Sequence, residues 1–313
     1  MNTRLADLLI CPACLPKEHP LKTVTYQAEG NEIISGNLSC NACNCTYPID
    51  EGVGCLLPGA VNRSNQRANR YEKEHVISSY FWSHYSDFFD ISNSHDAYQT
   101  WSSQIIKNSC LALDAGCAAG RFTFELGQKS RFAIGVDLSY TFIKLVRKLL
   151  KQRYLDFDLI TEGVLKEKKT IKLPDNFIIS NVDFIVADVT ALPFADNTFQ
   201  MSSSLNMIDK VSKPIKHLYE INRVAQNTNA FFLFSDPFSW SEDIAPKENW
   251  LGGKKQGLYS GKGIDNIRLI MEEKNKHVAF PWHMTNKGSV LWKIRNHCNH
   301  YEFITSKYLS FAR

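Results

Sequence analysis

The sequence predicts an α/β fold, an open doubly wound sheet preceded by a small β-rich ribbon. Leu111–Asp137, LALDAGCAAGRFTFELGQKSRFAIGVD, reads as strand, glycine turn, helix and second strand closing on a carboxylate, the pattern of a nucleotide-binding α/β unit. Further apolar runs at Phe184–Val189, Gln200–Leu205 and Phe231–Asp236 supply more strands of the same sheet. Near the N-terminus, Cys11-Pro12-Ala13-Cys14 and Cys40-Asn41-Ala42-Cys43 form two CxxC turns separated by 25 residues. Such turns place four thiolates around one metal, which a segment too small to bury much core needs.

Composition narrows the class. A chain of 313 residues with 44% hydrophobic content can bury a sizeable core. The net charge of +4 is slight and the basic residues do not cluster, so nucleic acid is a possible but not a favoured partner. No apolar run approaches the roughly 20 residues of a membrane span, so no membrane partner is expected. The first residues, MNTRLADLLICPAC, are too briefly apolar for a signal peptide. Nine cysteines, four of them in CxxC pairs, suit a reducing cytoplasm and a metal better than disulfides.

Residues 1–58 form the ribbon, with strands at Lys22–Tyr26 and Glu32–Ser35 joined through Gly30. Its metal ligands are Cys11, Cys14, Cys40 and Cys43, with Cys45 a rival for the last place and Cys55 a buried thiol. Residues 59–104 combine a polar linker, GAVNRSNQRANR over 59–70, with an aromatic helical cap. The cap packs Tyr80, Phe81, Trp82, Tyr85, Phe88, Phe89, Tyr98 and Trp101 on the sheet, and Tyr80 or Tyr85 reaches the site.

The domain of 105–313 follows. Asp114 closes its first strand, and Gly116, Cys117 and Gly120 form a turn tight enough for a ligand to approach the backbone. Asp137 ends the next strand, where a carboxylate can accept hydrogen bonds from a ribose. Leu138-Ser139 then starts an amphipathic helix with Phe142, Val146 and Leu149 inward and Lys144, Arg147, Lys148 and Lys151 on a solvated face. A hairpin is inserted within 155–182. Ser212 can cap the helix after the fourth strand, with Pro214 in its first turn. Asn206, Asp209 and Asp236 lie at strand ends where open α/β sheets bind ligands. His84, His217, His277 and His283 are expected at the surface or as satisfied core groups.

The order Asp114-x-Gly116-x-Ala118-x-Gly120 resembles the first motif of class I S-adenosylmethionine (SAM) methyltransferases, with Ala118 where a glycine is usual. The resemblance implies a mostly parallel seven-stranded sheet with an antiparallel last strand. It also implies that Asp114 holds the amino-acid end of SAM, that Asp137 and Leu138 lie at the ribose, that Asp188 and the Val189 N–H meet the adenine, and that Asn206 lies beside the cofactor. Leu192-Pro193-Phe194-Ala195-Asp196-Asn197-Thr198-Phe199 is similar to the usual lead into the fourth strand.

Two closer resemblances follow. Leu8–Cys14, Leu38–Cys40 and Cys45–Val53, with its Tyr47-Pro48-Ile49 strand, resemble the small zinc-ribbon activators that partner tRNA and release-factor methyltransferases. This implies a docking and stabilising module with a structural zinc, because four cysteine ligands leave no open position. Residues 105–313 resemble the domain that methylates the imidazole of mercaptohistidine in ovothiol biosynthesis. The likeness is carried by the inserted hairpin, Asn206-Met207-Ile208-Asp209, Trp240, Ala245–Gly253 and Ile294-Arg295-Asn296-His297. The iron-site pattern usually joined to that domain is absent, and Phe238 stands where a tyrosine is expected. The resemblance implies a small-molecule methyltransferase acting on an imidazole or similar nitrogen, with Asp209, Asp236 and His297 orienting or deprotonating the acceptor and Trp240 and Arg295 joining Tyr80 and Tyr85 around it. The alternatives are an RNA or protein methyltransferase that docks its substrate through the ribbon, and a non-catalytic scaffold.

Overall fold

The computed structural model describes residues 1–57, 70–106, 109–273 and 278–313. All but the last residue of the linker read over 59–70 lies outside them, as does His277. The N-terminal segment is a four-stranded antiparallel sheet of β1 (Lys22–Glu29), β2 (Glu32–Ser39), β3 (Thr46–Asp50) and β4 (Val53–Gly54). β1 and β2 run farther than their sequence suggests. β1 is solvent-exposed at every position but Thr23, which is half-buried.

The main sheet has seven strands: β5 (Ser109–Ala115), β6 (Ser130–Asp137), β9 (Val182–Val186), β10 (Met201–Leu205), β11 (Phe231–Asp236), β12 (His283–His297) and β13 (His300–Ala312). Their order is β12-β13-β11-β10-β5-β6-β9. β9, β6, β5, β10 and β11 pair in parallel, and β13 is antiparallel to both its neighbours, as the sequence predicts for the last strand. The chain reverses its direction of travel across the sheet between β5 and β10, and a crevice opens there at the carboxyl ends of the strands. β7 (Tyr154–Glu162) and β8 (Leu165–Lys172) form the separate inserted hairpin.

Among the described residues, six helices of seven residues or more flank these strands: α1 (Glu74–Phe89), α2 (Ala97–Ser103), α3 (Arg121–Gly127), α4 (Tyr140–Gln152), α5 (Pro214–Val224) and α6 (Gly263–Glu272). Ser139 caps α4 by accepting a hydrogen bond from the Phe142 N–H. Pro214 is the first residue of α5, but the capping position is Lys213 and no side chain caps it, so Ser212 does not have the expected role. No helix among the described residues is long and apolar enough to cross a membrane.

The ribbon packs against the β9 edge. Leu5, Leu9, Tyr47, Ile49 and Leu56 share one apolar cluster with Ile185, Val189 and Phe194. Backbone bonds join Ile10 N–H to the Pro193 carbonyl (3.0 Å) and Leu56 N–H to the Val186 carbonyl (2.8 Å). Arg147 corrects one expectation. It is not on a solvated face: its side chain is 3% exposed and is ion-paired with both Glu32 of β2 and Asp183 of β9. Its position on α4 looks toward the ribbon, which removes it from water.

The long β12–β13 hairpin shapes the roof of the crevice. Asp236, the last residue of β11, pairs with Lys307, and Lys307 pairs with Ser289. Residues 290–306 therefore project beyond the carboxyl edge of the sheet. α1 packs on this projection, where the Ser83 hydroxyl donates to the Lys293 carbonyl. The Cys298 N–H reaches the Thr161 carbonyl of β7 (3.2 Å). Helix and hairpins together cover the strand ends.

Candidate functional site

A cavity of about 360 Å³ lies between this roof and the strand ends. Its floor is the turn after β5. Gly116 has φ +83°, and a Cβ there would stand 2.5 Å from Met207 Sδ, so only glycine fits. Gly120 has φ +78° and a Cβ would meet Val146 at 2.4 Å and Phe184 at 2.7 Å. Gly120 lies outside the cavity lining and serves close packing of the turn on α4 and β9. Cys117 and Ala118 complete the lining turn.

Three carboxylates reach the cavity from the ends of adjacent strands β5, β6 and β9. Asp114 is buried and accepts hydrogen bonds from Thr123 Oγ1 (2.8 Å) and Ser203 Oγ (2.9 Å). Burial nevertheless pushes its pKa up to about 6. Asp137 accepts from the Ala118 N–H (2.9 Å) and the Ser139 N–H (2.8 Å), and desolvation also pushes it up to about 6. Asp188 is locked by Thr190, whose N–H (2.7 Å) and hydroxyl (2.8 Å) both donate to it. Leu138, Val189 and Asn206 line the cavity as well.

The raised Asp137 pKa gives a pH prediction. Above about 6 the carboxylate is charged and can accept from a ribose, and below that value it is protonated in the free protein. A ligand that hydrogen-bonds the charged form should bind about tenfold more weakly at pH 5 than at pH 7, as one unit below the pKa requires. Calorimetry with S-adenosylhomocysteine across pH 5–8 measures this, and a flat profile would contradict it.

The roof is aromatic. Tyr71, Tyr80, His84, Tyr98, Trp101, Phe122, Phe142 and Trp292 line it. Of the residues expected at a substrate, Tyr80 is there. Tyr85 is fully buried, and its hydroxyl donates to the Ala119 carbonyl (2.7 Å), bracing the glycine turn from outside the cavity. Trp240 stacks on Trp250 at 6.2 Å and lines a separate cavity with Phe238 and Gly263. Arg295 is turned toward Glu167 of β8 (3.4 Å) and does not line the site.

The acid–base candidates also lie elsewhere. Asp209 is buried, accepts from the Ser239 N–H (2.7 Å) and pairs with Lys210 (2.9 Å). Asp236 is buried and accepts from the N–H groups of Ile208 (3.0 Å) and Phe238 (2.6 Å). Burial and the neighbouring Asp209 carboxylate push the Asp236 pKa well up. These two carboxylates tie the loop after β10 to the loop after β11, and neither lines the cavity. His297 ends β12 with its ring 5.5 Å from His300 at the tip of the hairpin, also outside the cavity.

His84 and Trp292 were not read from the sequence as site residues. His84 is buried as a core histidine should be, but its Nδ1 has no partner among the described residues. Trp292 reaches the cavity only because the β12–β13 register carries it past the sheet edge.

At the ribbon, the Sγ atoms of Cys11, Cys14, Cys40 and Cys43 all lie within 4.8 Å of one another. Cys11–Cys43 are 3.6 Å apart and Cys14–Cys40 3.8 Å. A tetrahedron with metal–sulfur bonds of about 2.3 Å has edges of about 3.8 Å, so the four thiols fit zinc. Cys45 lies outside this group. The Tyr47 hydroxyl approaches Cys11 Sγ at 3.3 Å and helps orient it.

Two segments of the chain match models of known families. Residues 113–233 match the family model described as methyltransferase domain, and residues 2–52 match Trm112p-like protein. The ubiquinone/menaquinone biosynthesis C-methyltransferase UbiE of Rickettsia bellii is 25% identical over 161 residues, which is 48% of this chain and 57% of that protein. The chain thus spans little more than half the length of the curated relatives it matches. Among solved structures, an enzyme converting a disulfide bond into a thioacetal group during echinomycin biosynthesis is 16% identical (TM-score 0.46; 72% of this chain, 83% of that one). The complex of the Haloferax volcanii Trm112 methyltransferase activator with a putative methyltransferase is 12% identical (TM-score 0.44; 75% of this chain, 96% of that one). Both are remote. The chain thus combines a segment similar to methyltransferase domains with a Trm112p-like segment that holds the four-cysteine cluster.

Proposed function

We propose that the chain binds SAM in the cavity above the Gly116 turn and transfers its methyl group to a small acceptor beneath the aromatic roof. The observation that supports this best is the convergence of Asp114, Asp137 and Asp188 from three adjacent strand ends on one cavity. In this reading Asp137 and Leu138 hold the ribose, Asp188 and Val189 the adenine, and Asp114, Gly116, Cys117 and Asn206 the amino-acid end. SAM supplies an electrophilic sulfonium methyl when bound. The chain's own part is to align the acceptor lone pair, exclude water behind the aromatic roof and keep a route for any proton released. Alignment of this kind can be worth roughly 7–11 kcal/mol.

Replacing Asp137 with alanine removes the charged hydrogen-bond acceptor at the ribose. We expect SAM affinity to fall about 10- to 100-fold by calorimetry, the range for a lost hydrogen bond to a charged group. Unchanged affinity would remove the ribose assignment.

The finer reading is an imidazole acceptor in a histidine-derived molecule such as mercaptohistidine. Its support is the resemblance of 105–313. Residues 1–58 then stabilise, 59–104 cover and 105–313 catalyse, and one structural zinc sits on Cys11, Cys14, Cys40 and Cys43. Reduced thiols there suit the cytoplasm. A second reading, an RNA or protein substrate or a protein partner docked by the ribbon, is supported by the Trm112p-like match of residues 2–52. Methyl-transfer assays on 5-thiohistidine and histidine, read by mass, test the first. Gel shifts with total RNA over a salt series test the second, because phosphate contacts weaken steeply with salt.

A further inference from the structure

The cavity that Trp240 lines, of about 770 Å³, shares no lining residue with the one above the Gly116 turn. Lys262, Arg268, Lys287 and Lys307 line it, against the single carboxylate of Asp265. The sequence scatters these cations and the fold gathers them. Lys287 pairs with Leu309 and Ser289 with Lys307, so the two lysines are diagonal neighbours on one face of the β12–β13 pair. Leu309, on that same face, belongs to the apolar cluster of Ile267 and Met271, which places α6 over it. Lys262, Lys287 and Lys307 are exposed and make no ion pair among the described residues, and Arg268 has only Glu272, at 3.8 Å. Exposed lysines elsewhere rest on carboxylates: Lys144 on Glu51, Lys168 on Asp158 and Lys247 on Glu242. Like charges gathered around one cavity repel, and an occupant of opposite sign relieves them.

We propose that this cavity is a second ligand site and that it takes a phosphate monoester with a flat apolar body. The cations select the phosphate, and Phe238, Trp240 and Met284 supply a wall for the body. The volume falls within the roughly 300–1,000 Å³ of small-molecule sites. The inference does not rest on the methyltransferase reading, because the two cavities are separate.

Charge decides the head group. A cationic ligand would meet four cations and one acid, and a neutral one would leave the lysines uncompensated. A phosphate monoester carries about −1.5 to −2 at pH 7 and three acceptor oxygens, enough for several donors at once. A carboxylate brings one charge and two oxygens. The aromatic wall decides the body. Phe238 and Trp240 are half-buried with ring centres 6.3 Å apart, and inorganic phosphate would leave their surface wet. The cavity above Gly116 has the opposite balance, with Asp114, Asp137, Asp188 and Asp243 against Lys210, so a phosphate is steered to one of the two.

The test is calorimetry on the full chain with four probes: phenyl phosphate, inorganic phosphate, phenol and decauridylate. We expect phenyl phosphate to bind, and phenol and inorganic phosphate each to bind at least about tenfold more weakly. Lys287→Gln combined with Lys307→Gln should weaken phenyl phosphate about tenfold. Ser289→Glu, which sets a carboxylate directly opposite Lys307, should do the same. All three positions are exposed, so the thermal midpoints of these variants should stay within about 2 °C of the unaltered chain. No measurable binding of phenyl phosphate, equal binding of phenol, or phenyl phosphate affinity indifferent to both variants overturns the inference. Decauridylate bound at least about tenfold more tightly than phenyl phosphate at physiological salt also overturns it, in favour of an RNA surface.

Discussion

Removing the metal from the four-cysteine cluster, by chelation or by Cys40→Ser, should unfold the ribbon and loosen the whole chain. Structural zinc in segments of this size contributes an apparent 10–16 kcal/mol, roughly the entire stability of an ordinary domain. The ribbon has little else to rely on, because β1 is almost wholly exposed and its apolar residues are shared with the main sheet. Its loss would bare Ile185 and Val186 on β9, so limited proteolysis should first cut within residues 1–57 and then reach the seven-stranded sheet. Metal analysis should return one zinc per chain, none in Cys40→Ser, and one still in Cys45→Ser. Two zincs or none in the unaltered chain would refute the assignment.

Asp183→Ala should cost about 3 kcal/mol, because it removes the fully buried partner of a buried guanidinium and leaves only the partly exposed Glu32. Arg147 and Asp183 are each almost fully shielded, at 3% and 2% side-chain exposure, and Glu32 is the remaining partner. Asp183 Oδ2 also accepts the Asn2 N–H (2.7 Å), so one side chain ties ribbon, sheet and helix together. The urea midpoint should fall sharply. Replacing both members, Arg147→Met with Asp183→Leu, should recover most of the loss, since a well-packed apolar pair avoids the desolvation of two charges. A cost below about 1 kcal/mol for Asp183→Ala would show that water reaches the guanidinium and that the pair is not holding the interface.

The sheet and the metal cluster were legible because they are local. Asp114 to Asp137 is a single strand–turn–helix–strand unit, and two CxxC turns announce their own geometry. The antiparallel last strand followed from the resemblance and is seen in β13. Arg147 was misplaced for a physical reason: helical periodicity says which face is apolar, but not that a second sheet will cover the polar one. Asp209 and Asp236 were expected near the acceptor because strand ends are where ligands sit. Their carboxylates instead bind backbone N–H groups of neighbouring loops, a bond that no spacing reveals. His297 and Arg295 stand near the hairpin tip because the β12–β13 register, which sequence does not display, decides how far each residue projects, and Trp240, in the loop after β11, lines a second cavity. The same register brings in Trp292.

The bond between Leu56 and Val186 has a consequence for synthesis on the ribosome. The ribbon emerges first, yet the strand it rests against follows about 130 residues later, a wait of roughly 7–26 s at ~5–20 residues per second. During that interval its docking face has no neighbour. Metal uptake by the nascent chain is then what would keep the ribbon in shape until its landing strand arrives, so zinc shortage should show itself as misfolding of newly made protein before it affects protein already folded.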